Sequence, residues 1–212
     1  VFFRQADWAS ETVQALQLFD VVQPWSTCYD LGPEGEHMQV HRSFCRMWQD
    51  GEPIVQNAKA HKAPYRFAHP GYAWAATRQA LTGVGGLLDI AALGSGDHHM
   101  ALGLIGRAEE SYPAKISDAY KRHVLKWQER ALRQIDGNIG ALGGTIEHCF
   151  HGSKRERAYE SRWDILVRNR FDPDAYIVRN TWQAWDLAPG KPKLRRDIER
   201  YFRDRNEDSN VA

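Results

Sequence analysis

The stretch from Ser117 to Phe150 limits the fold more than any other part of the chain. Ser117 can cap a long helix to about Ile135, with Tyr120, Val124, Trp127 and Ala131 on one apolar stripe. Asp136-Gly137-Asn138 is a stop signal, because these residue types tolerate left-handed and turn backbone. Ile139 to Phe150 then reads as a strand interrupted at Gly143-Gly144. A one-sided helix running directly into a strand must be covered by a neighbouring layer, which points away from a helical bundle.

The rest of the chain repeats this alternation. Val1 to Phe3 reads as a strand already under way, and Asp7 as the N-cap of a helix to about Phe19 carrying Trp8, Ala15, Leu16 and Phe19. Asp20 to Trp25 reads as a short strand ended by Pro24, and Thr27 to Glu36 as a long loop marked by Gly32-Pro33 and Gly35. Val40, Phe44 and Trp48 predict a short helix stopping before Gly51 and Pro53. From Ile54 to Pro70 the chain is irregular and carries Lys59, His61, Lys62, Arg66 and His69. A polar loop of that length in a compact domain usually belongs to a site. Gly71 to Ala76 reads as a buried strand and Thr77 to Leu81 as one or two helical turns. Ser153-Lys154-Arg155-Glu156 matches a capping box for a helix carrying Tyr159, Trp163 and Leu166 or Val167 inward, ended by Phe171-Asp172-Pro173. Leu194 to Phe202 predicts a last amphipathic helix before a polar tail. The expected class is α/β, a mixed sheet flanked by helices. Residues 1–190 would form the main unit, and 191–212 a C-terminal amphipathic helix and tail.

Composition excludes several function classes. The chain has 212 residues, with Lys+Arg 28 against Asp+Glu 27, so no global charge favours nucleic acid or anionic membrane. Mean hydropathy is −0.60, and no apolar run approaches a membrane span. Cys28, Cys45 and Cys149 are odd in number and form no CxxC pair, so a disulfide framework and a cysteine zinc site are both disfavoured. Reduced thiols and the lack of a signal-peptide pattern suggest a cytoplasmic protein. The opening without Met or n-region suggests a chain whose N-terminal part is missing. The 8 Trp residues are many for this length; some could line a cleft for rings or sugars, although core packing explains most of them individually.

Chemistry concentrates in two places, Gly94-Ser95-Gly96-Asp97-His98-His99-Met100 and Glu147-His148-Cys149-Phe150-His151-Gly152. Four imidazoles and a carboxylate can serve as metal ligands or as acid and base groups near neutral pH. Asp97 is either a carboxylate that accepts the proton of a hydroxyl nucleophile or a cap for the helix of Met100, and both can hold at once. His98 and His99 are neighbours, about 100° apart on a helix, so they cannot readily share one ion. His148 and His151 share a face on a helix but oppose each other on a strand. At most one is then a direct ligand, unless the strand ends between them, and His151 is favoured. Lys154, Arg155, Arg157 and Arg162 suit a diphosphate, or form a solvated face.

Taken in order, these pieces resemble the second half of a GT-A-fold glycosyltransferase, of the kind that transfers galactose or N-acetylgalactosamine. The resemblance rests on the opening strand and capped helix, the strand and turn of Gly71 to Leu81, Gly85-Gly86 through Gly94-Ser95-Gly96-Asp97, and Glu147 to Gly152. It implies that the chain lacks its N-terminal nucleotide-binding strands and begins just after an Asp-x-Asp metal motif. It also implies Asp97 and His98 as catalytic residues, His151 and His148 at a Mn²⁺ or Mg²⁺ site, and Lys154, Arg155 and Arg157 on the donor diphosphate. On residue type alone, Trp25, Tyr72 and Trp74 could stack on a sugar ring on the acceptor side, with His99 beside them, and core packing competes with that role for Trp74. The partners implied are a nucleotide-diphospho-sugar and a hydroxyl acceptor. The family usually has a Glu-Asp pair where this chain has Asp97-His98, and Asp172-Pro173-Asp174, the one triplet matching Asp-x-Asp, follows a helix near the C-terminus. Two other readings are a carbohydrate-binding module without chemistry and a phosphoesterase in which Asp97-His98-His99 binds metal.

Overall fold

A computed structural model describes residues 1–54, 68–152 and 161–205. Two parallel strand pairs form its spine. Strand β2 (Val21–Gln23) runs parallel to β6 (Ile139–Ala141), and β3 (Thr27–Leu31) runs parallel to β7 (Thr145–His148). Pro24 to Ser26 interrupts one chain opposite Leu142 to Gly144 in the other. Bonds from Leu142 N to Gln23 O (3.1 Å) and from Ser26 N to Gly144 O (2.8 Å) carry the ladder across the break. Proline cannot donate to a ladder, so a strand containing Pro24 must break or bulge there. The predicted interruption at Gly143-Gly144 is its partner.

Each half of the spine gains antiparallel neighbours. The first half gains β5 (Ala75–Ala76) beside β2, giving the order β5-β2-β6. The second gains β1 (Phe2–Phe3) beside β7 and β4 (His37–Arg42) beside β3, giving β1-β7-β3-β4. The fold is therefore mixed α/β, with mixed sheets flanked by helices. The hairpin of β3 and β4 replaces the expected long loop from Thr27 to Glu36. Only Gly32 to Glu36 turns, closed by Gly32 N to Glu36 O at 2.8 Å, with Gly35 at φ +84° where a Cβ would be strained. Val40 lies on β4, not on a helix. Helix α2 (Phe44–Gln49) starts after it because the Ser43 side chain accepts from Arg46 N.

The long helix is as expected: α5 (Asp118–Gln134), capped by the Ser117 side chain on Tyr120 N, buries Tyr120, Val124, Trp127 and Ala131. It crosses α4 (Gly96–Leu104) where Gly103 lets the backbone approach; a Cβ there would sit 3.1 Å from the Trp127 ring. Helix α1 (Trp8–Ala15) is shorter than predicted, and the Asp7 side chain makes no capping bond. Helix α3 (Arg78–Gly83) is capped by Thr77, while α6 (Arg162–Arg168) and α7 (Pro173–Tyr176) follow later in the chain. An unforeseen hairpin joins β8 (Ile177–Arg179) to β9 (Trp185–Leu187). Helix α8 (Pro192–Asp204) buries Leu194 and Tyr201 in the same core as α4 and α5. Among the described residues no helix is long and apolar enough to cross a membrane. The Ser153 capping box and Tyr159 lie outside them.

Candidate functional site

The second half of the spine carries a polar cluster on one face. Register places Cys28 opposite both His41 and Ile146, and Asp30 opposite His148, so these side chains emerge on the same side. Trp25, Cys28 and Ile146 form a small apolar floor with no exposure. Beyond it sits the buried carboxylate of Asp30. Its Oδ2 faces His41 Nε2 at 2.9 Å, while Oδ1 accepts from the Tyr72 hydroxyl at 2.5 Å and faces His148 Nδ1 at 3.2 Å. An ionised carboxylate only accepts, so both imidazole nitrogens that face it must carry protons. Glu147 points to the opposite face, where Arg4 pairs with it.

The expected strand from Gly71 to Ala76 exists only at Ala75–Ala76. Side chains take the carbonyls before it: Gln23 Nε2 donates to His69 O and Gly71 O, Trp74 Nε1 to Pro70 O, and Trp25 Nε1 to Ala73 O. The resulting His69–Tyr72 turn stacks its two rings at 4.3 Å and 6°. Tyr72 is held at φ +70°, a conformation costly for a non-glycine residue, and its hydroxyl is anchored on Asp30. Burial, followed by the hydrogen bond to Asp30, pushes the phenol pKa far up, so Tyr72 stays a donor.

Two predicted loops border this turn. On one side the Tyr72 ring lies 4.8 Å from that of His148, and the strand ends at His148, so His151 comes round to face it. The two Nε2 atoms are 3.1 Å apart. On the other side Asp97 Oδ2 lies against Gly71, where a Cβ would sit 3.3 Å from that oxygen and 2.8 Å from the His69 ring. Asp97 stands inside the first turn of α4, behind Ser95, and its Oδ1 accepts from His98 N at 2.9 Å. Gly94 and Ser95 turn the chain at φ +95° and +74°, and Arg162 donates to Ser95 Oγ at 2.6 Å. His98 is half-buried, and burial lowers its pKa, opposed by Asp97 and reinforced by Arg162.

Other predicted site residues lie elsewhere. His99 is in the core, not beside a sugar. Ser111 gives its proton to Ala108 O, so Ser111 Oγ accepts from His99 Nδ1 (2.6 Å), and the Tyr120 hydroxyl donates to Nε2 (2.9 Å). Burial, then the charges of His98 and Arg162, lowers the His99 pKa to about 3. A phosphoesterase triplet needing Asp97, His98 and His99 together is incompatible with that placement. Trp25 is fully buried and cannot stack on a sugar. Trp74 packs against the main core with its N–H on Pro70, and Trp163 meets His99 and Tyr120 edge-on. Lys154, Arg155 and Arg157 lie outside the described residues. Asp30 and His41 were missed as site residues, whereas His69 lies in the polar loop expected to belong to a site. The alternating Thr27-Cys28-Tyr29-Asp30-Leu31 before Gly32-Pro33-Glu34-Gly35 was the signal that could have found Asp30.

At 3.1 Å the Nε2 atoms of His148 and His151 are hydrogen-bonded, one ring donating and the other accepting. Among the described residues no three His, Cys, Asp or Glu gather to hold an ion, so this pair alone does not make a metal site. Comparison with protein-family models, curated proteins and solved structures finds no significant match.

Proposed function

We propose that the chain is the acceptor and metal half of a GT-A-like glycosyltransferase, moving a sugar from a nucleotide-diphospho-sugar to a hydroxyl. One observation carries this reading. Asp97 and the His148–His151 pair, far apart in sequence, flank the same His69–Tyr72 turn. Asp97 is exposed and takes the proton of the attacking hydroxyl, with His98 beside it. His148 and His151 would hold a divalent cation, with further ligands that the described residues do not supply. A cation there neutralises charge on the departing diphosphate. Paired imidazoles favour a transition ion such as Mn²⁺ over Mg²⁺, which prefers oxygen ligands. Lys154, Arg155 and Arg157, which follow Gly152-Ser153 in the sequence, would supply further positive charge for the diphosphate.

Calorimetry with uridine diphosphate and Mn²⁺ tests this, on the present chain beside one extended upstream. The extended chain binds the nucleotide in a metal-dependent way, and the present chain binds it poorly. Asp97→Asn in the extended chain abolishes transfer but keeps donor binding, whereas His151→Ala weakens metal and donor together. Equal loss of donor binding in both variants would refute the division of roles. Saccharide binding without any response to nucleotide or metal would mark a carbohydrate-binding module instead.

A further inference from the structure

We propose that the indole of Trp182, at the tip of the β8–β9 hairpin, is a stacking platform for a pyranose ring of a saccharide. Its role as an acceptor subsite rests on the proposed function, which it narrows to a saccharide acceptor; the binding itself does not. Trp182 is 87% exposed, and among the described residues its ring meets no aromatic or cationic neighbour. Other indoles are used by the fold: Trp8 stacks on Phe3 at 3.9 Å, Trp127 donates to Gly86 O, and Trp185 lies under the Arg179 guanidinium at 3.7 Å. The turn that presents Trp182 is fixed without help from its ring. Asn180 Oδ1 accepts from Trp182 N (2.9 Å) and Ala184 N (3.0 Å), and Asn180 N donates to Ala184 O. Arg179 Nη1 donates to Gln183 O, holding Gln183 at φ +61°. Arg179 also pairs with Asp89, in the segment whose Leu88 N–H meets Met100 Sδ, so the hairpin is fastened to the helix that carries Asp97. An indole held out on a rigid turn has already lost much of the freedom that binding would cost. Size and charge then select the ligand. A protein partner needs about 800 Å² per side, whereas one Trp buries about 150–250 Å², and its neighbours Asn180, Thr181 and Gln183 are polar. The charges of the hairpin are Arg179, already paired, and Asp186, so no spare cation draws phosphate or an anionic membrane. A pyranose fits: its axial C–H bonds form an apolar face about the size of an indole, and its hydroxyls reach the polar side chains around it.

Indole N–H resonances of the present chain read this directly, with the Trp182 signal identified by its absence in Trp182→Ala. Cellotetraose, whose all-equatorial rings leave C–H bonds on both faces, should shift that signal at millimolar concentration. Glucitol, with similar hydroxyls but no ring, should not. By calorimetry Trp182→Ala should weaken cellotetraose about 10-fold or more, while Trp182→Tyr, which keeps a ring, retains part of the binding. Both variants should fold, since the turn is held by Asn180 and the backbone. No shift with cellotetraose, an equal shift with glucitol, or a shift only with phosphatidylcholine vesicles or with protein concentration would overturn the proposal. Uridine diphosphate and Mn²⁺ with the extended chain keep the two readings apart, because Trp182→Ala should leave donor binding unchanged. A saccharide response at Trp182 without nucleotide binding would sink the transfer reaction and leave the platform standing. Nucleotide binding with no saccharide response would do the reverse.

Discussion

Acidification should unfold this protein partly through one core residue, His99. Its neutral ring satisfies a closed chain of donors, from Tyr120 through both nitrogens to Ser111 and Ala108 O. A second ring proton would meet the Tyr120 hydroxyl in a buried setting, and the folded pKa is accordingly about 3. An unfolded histidine titrates near about 6.5. Above that pH neither state holds the proton and the stability is whole. Below it the unfolded chain gains a proton that the folded chain refuses, so stability falls until the pH nears the folded value. Each pH unit well inside this window costs about 1.4 kcal/mol, so moving from pH 7.5 to 5 costs about 2 kcal/mol. With a urea slope of about 2 kcal/mol/M, the midpoint should fall by about 1 M. Urea unfolding at several pH values, for wild type and His99→Gln, isolates this share. The variant is less stable at pH 7 but loses less on acidification. Identical slopes in the two proteins, or a folded-state His99 resonance titrating near pH 6.5, would refute the reasoning.

Gly140→Ala should destabilise by about 1–3 kcal/mol, because its Cβ would stand 2.5 Å from the Phe19 ring on a spine strand; calorimetric scanning would show a fall of several degrees. Ser117→Ala removes the oxygen that accepts from Tyr120 N and the proton given to Phe171 O. It should cost about 1–2 kcal/mol, measured by denaturant unfolding. A thiol reagent should modify one cysteine in the native protein, the exposed Cys149, and all three after denaturation, since Cys28 and Cys45 are buried and burial raises the Cys45 pKa. Rapid native reaction at more than one thiol would contradict the packing around β3 and α2.

Local signals were legible wherever one residue both caps and faces the core. Ser117, the Asp136-Gly137-Asn138 stop, the break at Gly143-Gly144 and the Asp97 loop all act within a few residues of themselves. The β3–β4 hairpin was hidden because Gly32-Pro33 and Gly35 drew attention to the turn and away from the alternation on either side of it. Asp30 was invisible for a deeper reason: its environment is made by His148, 118 residues away, and by a turn that is irregular in backbone. His98 and His99 cannot be separated by composition, since only the crossing of α4 over α5 decides which ring enters the core. Trp25 and Trp74 were offered to a ligand on residue type alone, and each instead uses its N–H to hold a backbone carbonyl in place.

The interrupted spine also sets an order of events. Its two partners are joined through 118 residues of intervening chain, so every rung of that ladder is a long-range closure. Such closures come late and slowly compared with the α4–α5 crossing, whose residues are near neighbours in sequence. During synthesis Asp30, His41 and Tyr72 leave the ribosome well before His148 does. Until β7 docks, the nascent chain carries a carboxylate destined for burial with part of its cage still unmade. The polar face therefore closes only once β7 has docked, later than a local contact such as the α4–α5 crossing.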